Sequence, residues 1–113
     1  MTTKPLPPTL REKNRYLVLE VISEGKRFDK KAVQRAIWNS SFAFLGEVGV
    51  SKTSLWIIEW DEKKQKGIVK VNKQSIREIR ASITLINKIE GQVVIPQVLG
   101  ISGTIKAARR KWM

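Results

Sequence analysis

The order in which two hydrophobic periodicities alternate constrains this chain more than any other feature. In "RYLVLEVIS" (Arg15–Ser23), Leu17, Leu19 and Val21 fall on one side and Val18, Glu20 and Ile22 on the other, which predicts a strand. "FDKKAVQRAIWNSSFAFLG" switches to helical spacing, with Asp29 as N-cap and Gly46 just past the end. Val33, Ala36, Ile37, Ser40 and Phe44 share one side of that helix, and Trp38, Phe42 and Leu45 form a second apolar stripe. "SLWIIEWD" (Ser54–Asp61) and "KGIVKVN" (Lys66–Asn72) return to strand composition across the polar turn "EKKQ", as a hairpin does. Asn72 caps a long helix expected over Lys73–Glu90, whose Ile76, Ile79, Ile83 and Ile86 repeat every three or four residues and which Gly91 stops. "QVVIPQVLGIS" (Gln92–Ser102) reads as the fourth strand, with Pro96 marking an edge position or a bulge. Ser102 opens a last helix.

The resulting βαββαβ order predicts an α+β two-layer sandwich of the ferredoxin-like or RRM-like kind. Its expected form is a four-stranded antiparallel sheet with two helices on one face, plus the C-terminal helix. The chain of 113 residues supports one domain, expected over 15–113. Residues 1–14, with Pro5, Pro7 and Pro8, are expected to form an extended arm. No apolar run approaches a membrane span, and the N-terminal segment lacks the apolar core of a signal peptide, so a cytoplasmic location is expected.

Composition narrows the chemistry. The absence of Cys removes thiolate catalysis and thiolate metal sites, and the absence of His removes the commonest general base and metal ligand. Lys and Arg number 22 against 10 acidic residues, a net charge of +12 that calls for a polyanionic partner, with nucleic acid ahead of an acidic membrane.

One motif invites a nucleotide. "GEVGVSKTS" (Gly46–Ser54) nearly spells a phosphate-binding loop, with Ser51 where the second glycine belongs. Such a loop must run from a strand into a helix N-terminus, and this one runs from a helix into a strand. It reads as a connection whose glycines supply a C-cap and a turn. Glu59 and Asp61 share a strand face and are a weak candidate for Mg²⁺. A strand end beside Lys63, Lys64 and Lys66 explains them as well. No residue is assigned to catalysis or to a protein-held metal.

The basic residues form stripes. Lys73, Arg77, Arg80 and Lys88 line one side of the second long helix, with Glu78 the only acid before Glu90. Lys106, Arg109, Arg110 and Lys111 project from the last helix while Ile105, Ala108 and Trp112 pack inward, and Ser102–Thr104 offer an open helix N-terminus to a phosphate. Arg11, Lys13 and Arg15 follow the proline-rich arm. These eleven cations are the expected RNA contacts, made to phosphates. Base stacking on the sheet is not expected, because the third strand offers Ile, Val, Lys and Val where RNA-recognition domains carry rings, and the first strand offers only Tyr16. Val18, Ile22, Ile57 and Ile68 make the open sheet face apolar. Together with Trp38, Phe42 and Leu45 they are expected either to lie under the arm and tail helix or to meet a protein partner.

Three segments carry a family resemblance. "LPPTLREKNRYLVLEV", "LWIIEWDEKKQKGIVKVN" and "VLGISGTIKAARRKW" resemble the family of archaeal ribonuclease P protein component 2, which has a eukaryotic counterpart among the ribonuclease P/MRP subunits. The similarity runs over nearly the whole chain, and the last block is the most specific. It implies a protein subunit of the ribonucleoprotein endonuclease that removes the 5′ leader from precursor tRNA. The RNA subunit would carry the Mg²⁺-dependent chemistry. Ribonuclease P protein component 3 would be the protein partner, and self-association would give a heterotetramer. The rival is a ribosomal or general RNA-binding protein of the same topology.

Overall fold

The computed structural model describes residues 13–113. The order is β1 (Asn14–Ser23), α1 (Lys30–Ser51), β2 (Trp56–Asp61), β3 (Lys66–Asn72), α2 (Ile76–Thr84), β4 (Lys88–Ile89), β5 (Gln92–Ser102) and α3 (Ile105–Trp112). The strands form one antiparallel sheet in the order β2-β3-β1-β5-β4. Without the two-residue β4 this is the expected ferredoxin-like arrangement, so the α+β class holds and the strand count rises from four to five. Most of the arm, Arg11 included, lies outside the described residues.

The fifth strand corrects the length of the second helix. α2 ends at Thr84, and β4 and β5 close across Glu90 and Gly91, with φ of 50° and 79°. Positive φ at both central residues is the geometry of a two-residue hairpin turn, so Gly91 serves a turn rather than a helix stop. Pro96 sits where expected. Val21 donates its N–H to Gln65 O at 2.9 Å, away from β5. Its cross-strand partner Pro96 therefore has its missing donor on the open edge beyond β4.

Two cores flank the sheet. On one face Leu17, Leu19, Val21, Val69 and Val71 meet Val33 and Ile37 of α1, Ile79 and Ile83 of α2, and Ile86 just beyond the end of α2. Asp29 caps α1 by accepting from Ala32 N at 2.8 Å. Gly46 ends the regular part of α1 with φ 75°, as its capping role requires, but helical geometry resumes and runs on to Ser51. The "GEVGVSKTS" stretch is thus mostly helical, with Lys52 as its C-cap, and it still passes into a strand.

On the other face α3 lies across the sheet. Val18, Ile68 and Ala108 are fully buried there, with Tyr16, Ile58, Leu99, Ile105 and Trp112 packed around them. The inward positions of α3 are the expected ones, although Thr104 rather than Ser102 caps it. Trp112 lies so close over Gly100 that a Cβ there would fall 2.0 Å from the indole. Only glycine lets the ring down onto β5.

A bulge explains the position of Ile57. Ile57 pairs with Val69 but Glu59 pairs with Ile68, so Ile58 is the extra residue. Ile57 therefore faces the α1/α2 core, and Ile58 and Glu59 face α3. Strict alternation along β2 would place Ile57 on the open face.

Candidate nucleic-acid interface

The register brings four segments to one end of the sheet: the start of β1, the start of β2, the end of β3 and the end of β5. They carry Lys13, Arg15, Lys52, Lys70 and Lys73, with Lys106 in the first turn of α3, and residues 13–18, 52–57, 68–73 and 100–107 hold no acid. Lys73 N donates to Lys13 O at 2.7 Å, which fixes these two residues side by side. Among the described residues none of the six cations forms an ion pair. Arg15 does donate to its neighbour's carbonyl, Asn14 O, at 2.9 Å. Unpaired like charges held together repel, and a polyanion relieves that repulsion while releasing counterions.

Of the expected RNA contacts, Lys13, Arg15, Lys73 and Lys106 meet at this end, and Arg77 follows in the first turn of α2. Arg80 lies further along α2 and is exposed. Lys88 is exposed in β4, not on a helix, and belongs to the opposite end. Arg110 and Lys111 are exposed on α3, where Lys111 Nζ stands 5.6 Å from the Trp112 ring centroid. Arg109 is engaged: its Nε donates to Glu59 Oε2 at 2.8 Å. The N-terminus of α3 is also occupied, because Thr104 Oγ1 accepts from Ala107 N at 3.1 Å. The two basic helices expected to act together pack on opposite faces of the sheet.

Sequence pattern marks neither Lys52, which lies in the near-match to a phosphate-binding loop, nor Lys70, whose strand lacks stacking rings. Lys52 O accepts from Asn72 Nδ2, which ties the residue to the end of β3. No local pattern announces either one, because their neighbours in space lie far away in sequence.

The expected partner surface divides. Val18 and Ile68 are 0% exposed beneath α3 and Ile57 is 2% exposed in the other core, so these three cannot meet a partner. The tail helix, not another protein, covers that part of the sheet. Trp38 and Leu45 are half-buried against the α1/α2 core. Phe42, whose ring centroid is 5.7 Å from that of Trp38, stays 43% exposed, and Ile22 stays 45% exposed. Asp61 Oδ1 accepts from the amides of Lys63 and Lys64 at 3.0 and 3.1 Å, so it caps the hairpin turn, while Glu59 holds Arg109.

A ferredoxin-like sandwich whose sheet segments at one end carry cations and no acid defines a small domain suited to face a polyanion. The chain belongs to the Rpp14/Pop5 family, which it matches over residues 15–113. It is 44% identical to "Ribonuclease P protein component 2" of Thermococcus kodakarensis, over 100% of this chain and 95% of that one. The protein of the same name from Pyrococcus furiosus is 44% identical over 97% of this chain and 91% of its own. The one from Methanococcus maripaludis is 33% identical over 97% and 82%. Among solved structures, a chain in the cryo-EM structure of yeast ribonuclease MRP superposes with a TM-score of 0.69 at 14% identity, over 83% of this chain and 76% of that one. That likeness bears on the fold.

Proposed function

We propose that this protein is the component 2 subunit of ribonuclease P and binds the RNA subunit that removes the 5′ leader from precursor tRNA. The extent of the likeness carries the reading: relatives of that name align with at least 97% of this chain at 33–45% identity. The cationic end of the sheet supplies the physical means of holding RNA. In this reading the protein contributes no catalytic group, and Mg²⁺ acts through the RNA. Its two nearest candidate carboxylates support that division, since Glu59 is ion-paired and Asp61 caps a turn. Component 3 is the protein partner, with Phe42 and the half-buried Trp38 and Leu45 as candidate contacts, and self-association would complete a heterotetramer. The setting is the cytoplasm. Among the described residues no helix is long and apolar enough to cross a membrane.

The test is to isolate the tagged protein from its cells, sequence the bound RNA and assay cleavage of precursor tRNA. Ribonuclease P RNA should co-purify, and the RNA-free protein should leave precursor tRNA intact. Co-purified ribosomal RNA alone, or Mg²⁺-dependent cleavage by RNA-free protein that Asp61→Asn abolishes, contradicts the reading.

A further inference from the structure

The chain has four tryptophans, and packing accounts for three. Trp38 and Trp60 lie against the α1/α2 core and Trp112 against the α3 core. Trp56 joins neither and is 51% exposed at the first residue of β2. Its position in the sheet is specific. Trp56 pairs with Lys70, and Lys70 pairs with Tyr16, so the three form one cross-strand row. Tyr16 packs at the edge of the α3 core, which places the row on that face of the sheet. Two strand spacings separate the aromatic positions, roughly 10 Å, with an ammonium between them.

We propose that Trp56, Lys70 and Tyr16 form a stacking site for unpaired bases of a single-stranded RNA segment. Trp56 offers the principal ring, the half-buried Tyr16 a second, and Lys70 contacts the phosphate between them. The site deepens the RNA-binding reading and rests on it. It differs from the ring pattern sought in the sequence because its rings come from the first and second strands, with lysine from the third. A half-exposed indole also suits a protein interface, but the surroundings favour RNA. The row's own lysine is one of six cations whose sheet segments hold no acid, and a second copy of this chain would bring the same charges to the contact. Duplex RNA keeps its base faces stacked inside, so the site selects single strands.

The test compares binding of the full chain to a short unstructured RNA oligonucleotide and to the same sequence annealed to its complement, at one salt concentration. Trp56→Ala should weaken single-strand binding about ten-fold and leave duplex binding within about two-fold, and Trp56→Phe should restore most of the loss. The wild-type fluorescence should be quenched by the single strand, and the quenching should largely vanish in Trp56→Phe. Thermal unfolding of each variant separates binding from folding. Unchanged single-strand affinity in a folded Trp56→Ala, or equal losses on both RNAs, overturns the proposal. So does loss of self-association or of the complex with component 3 while RNA binding is intact, which would make Trp56 a protein contact. A wild-type protein that binds neither RNA overturns the RNA reading itself.

Discussion

At the end of the sheet where β1 begins, six cations stand without an acid in their segments or an ion pair among the described residues. At the opposite end, Glu20, Glu24, Asp29, Glu59, Asp61, Glu62 and Glu90 mingle with lysines, and many of them have structural duties. Lys26 pairs with Glu90 at 3.1 Å and Arg109 with Glu59 at 2.8 Å. Asp29 caps α1 and Asp61 caps the β2–β3 turn. Buried Gln65 joins that turn to the start of α1: its amide donates to Phe28 O at 3.1 Å and Glu62 O at 2.6 Å and accepts from Phe28 N at 3.0 Å. Several charged groups at this end are spent within the fold, whereas among the described residues the six cations of the other end form no ion pair. Net charge alone does not distinguish the two uses.

The sharpest contrast comes from Gln65. Gln65→Leu keeps the volume but removes three hydrogen bonds and leaves the buried Phe28 amide without its partner. It should destabilise the protein by about 2–3 kcal/mol in denaturant unfolding while the folded fraction binds RNA with an unchanged salt dependence. A loss below about 0.5 kcal/mol would show that this end is not held as described.

A smaller effect is expected at Arg109. Its guanidinium and the Glu59 carboxylate are both substantially exposed, so Arg109→Ala should cost at most about 1 kcal/mol. Because the carboxylate already holds Arg109, the salt dependence of RNA binding should change by less than half of a full phosphate contact, below about 0.4 in log–log slope. A full-contact change would mean that RNA displaces Glu59 and that the interface extends along α3 from Lys106 to Arg109.

Much of the fold was legible because periodicity records local geometry. β3 and β5 fall within their expected bounds and β1 differs by one residue. The Ile76, Ile79 and Ile83 face of α2 and the inward face of α3 are also as expected. The misreadings share a cause: each depends on a partner distant in sequence. The bulge at Ile58 exists only against β3, so strict alternation misplaced Ile57. The end of α2 was hidden because Ile86 continues the helical spacing after the chain has turned toward β4. The site suffered most. The positive charge was plain in composition, but helical wheels grouped the cations by helix, and the sheet groups them by end. That regrouping places Lys52 and Lys70 at the cationic end and Lys88 at the opposite one.

The most direct measurement is the salt dependence of binding to ribonuclease P RNA for two triple variants of equal charge change. One removes Lys13, Lys70 and Lys73 at the cationic end, and the other removes Lys30, Lys63 and Lys64 at the opposite end, all to Ala. Each phosphate contact contributes roughly 0.7–0.9 to the log–log slope, so the first variant should lose about two units and the second less than about half a unit. Equal losses, or a larger loss in the second variant, would show that the RNA senses total charge or the other end, and would contradict the interface described.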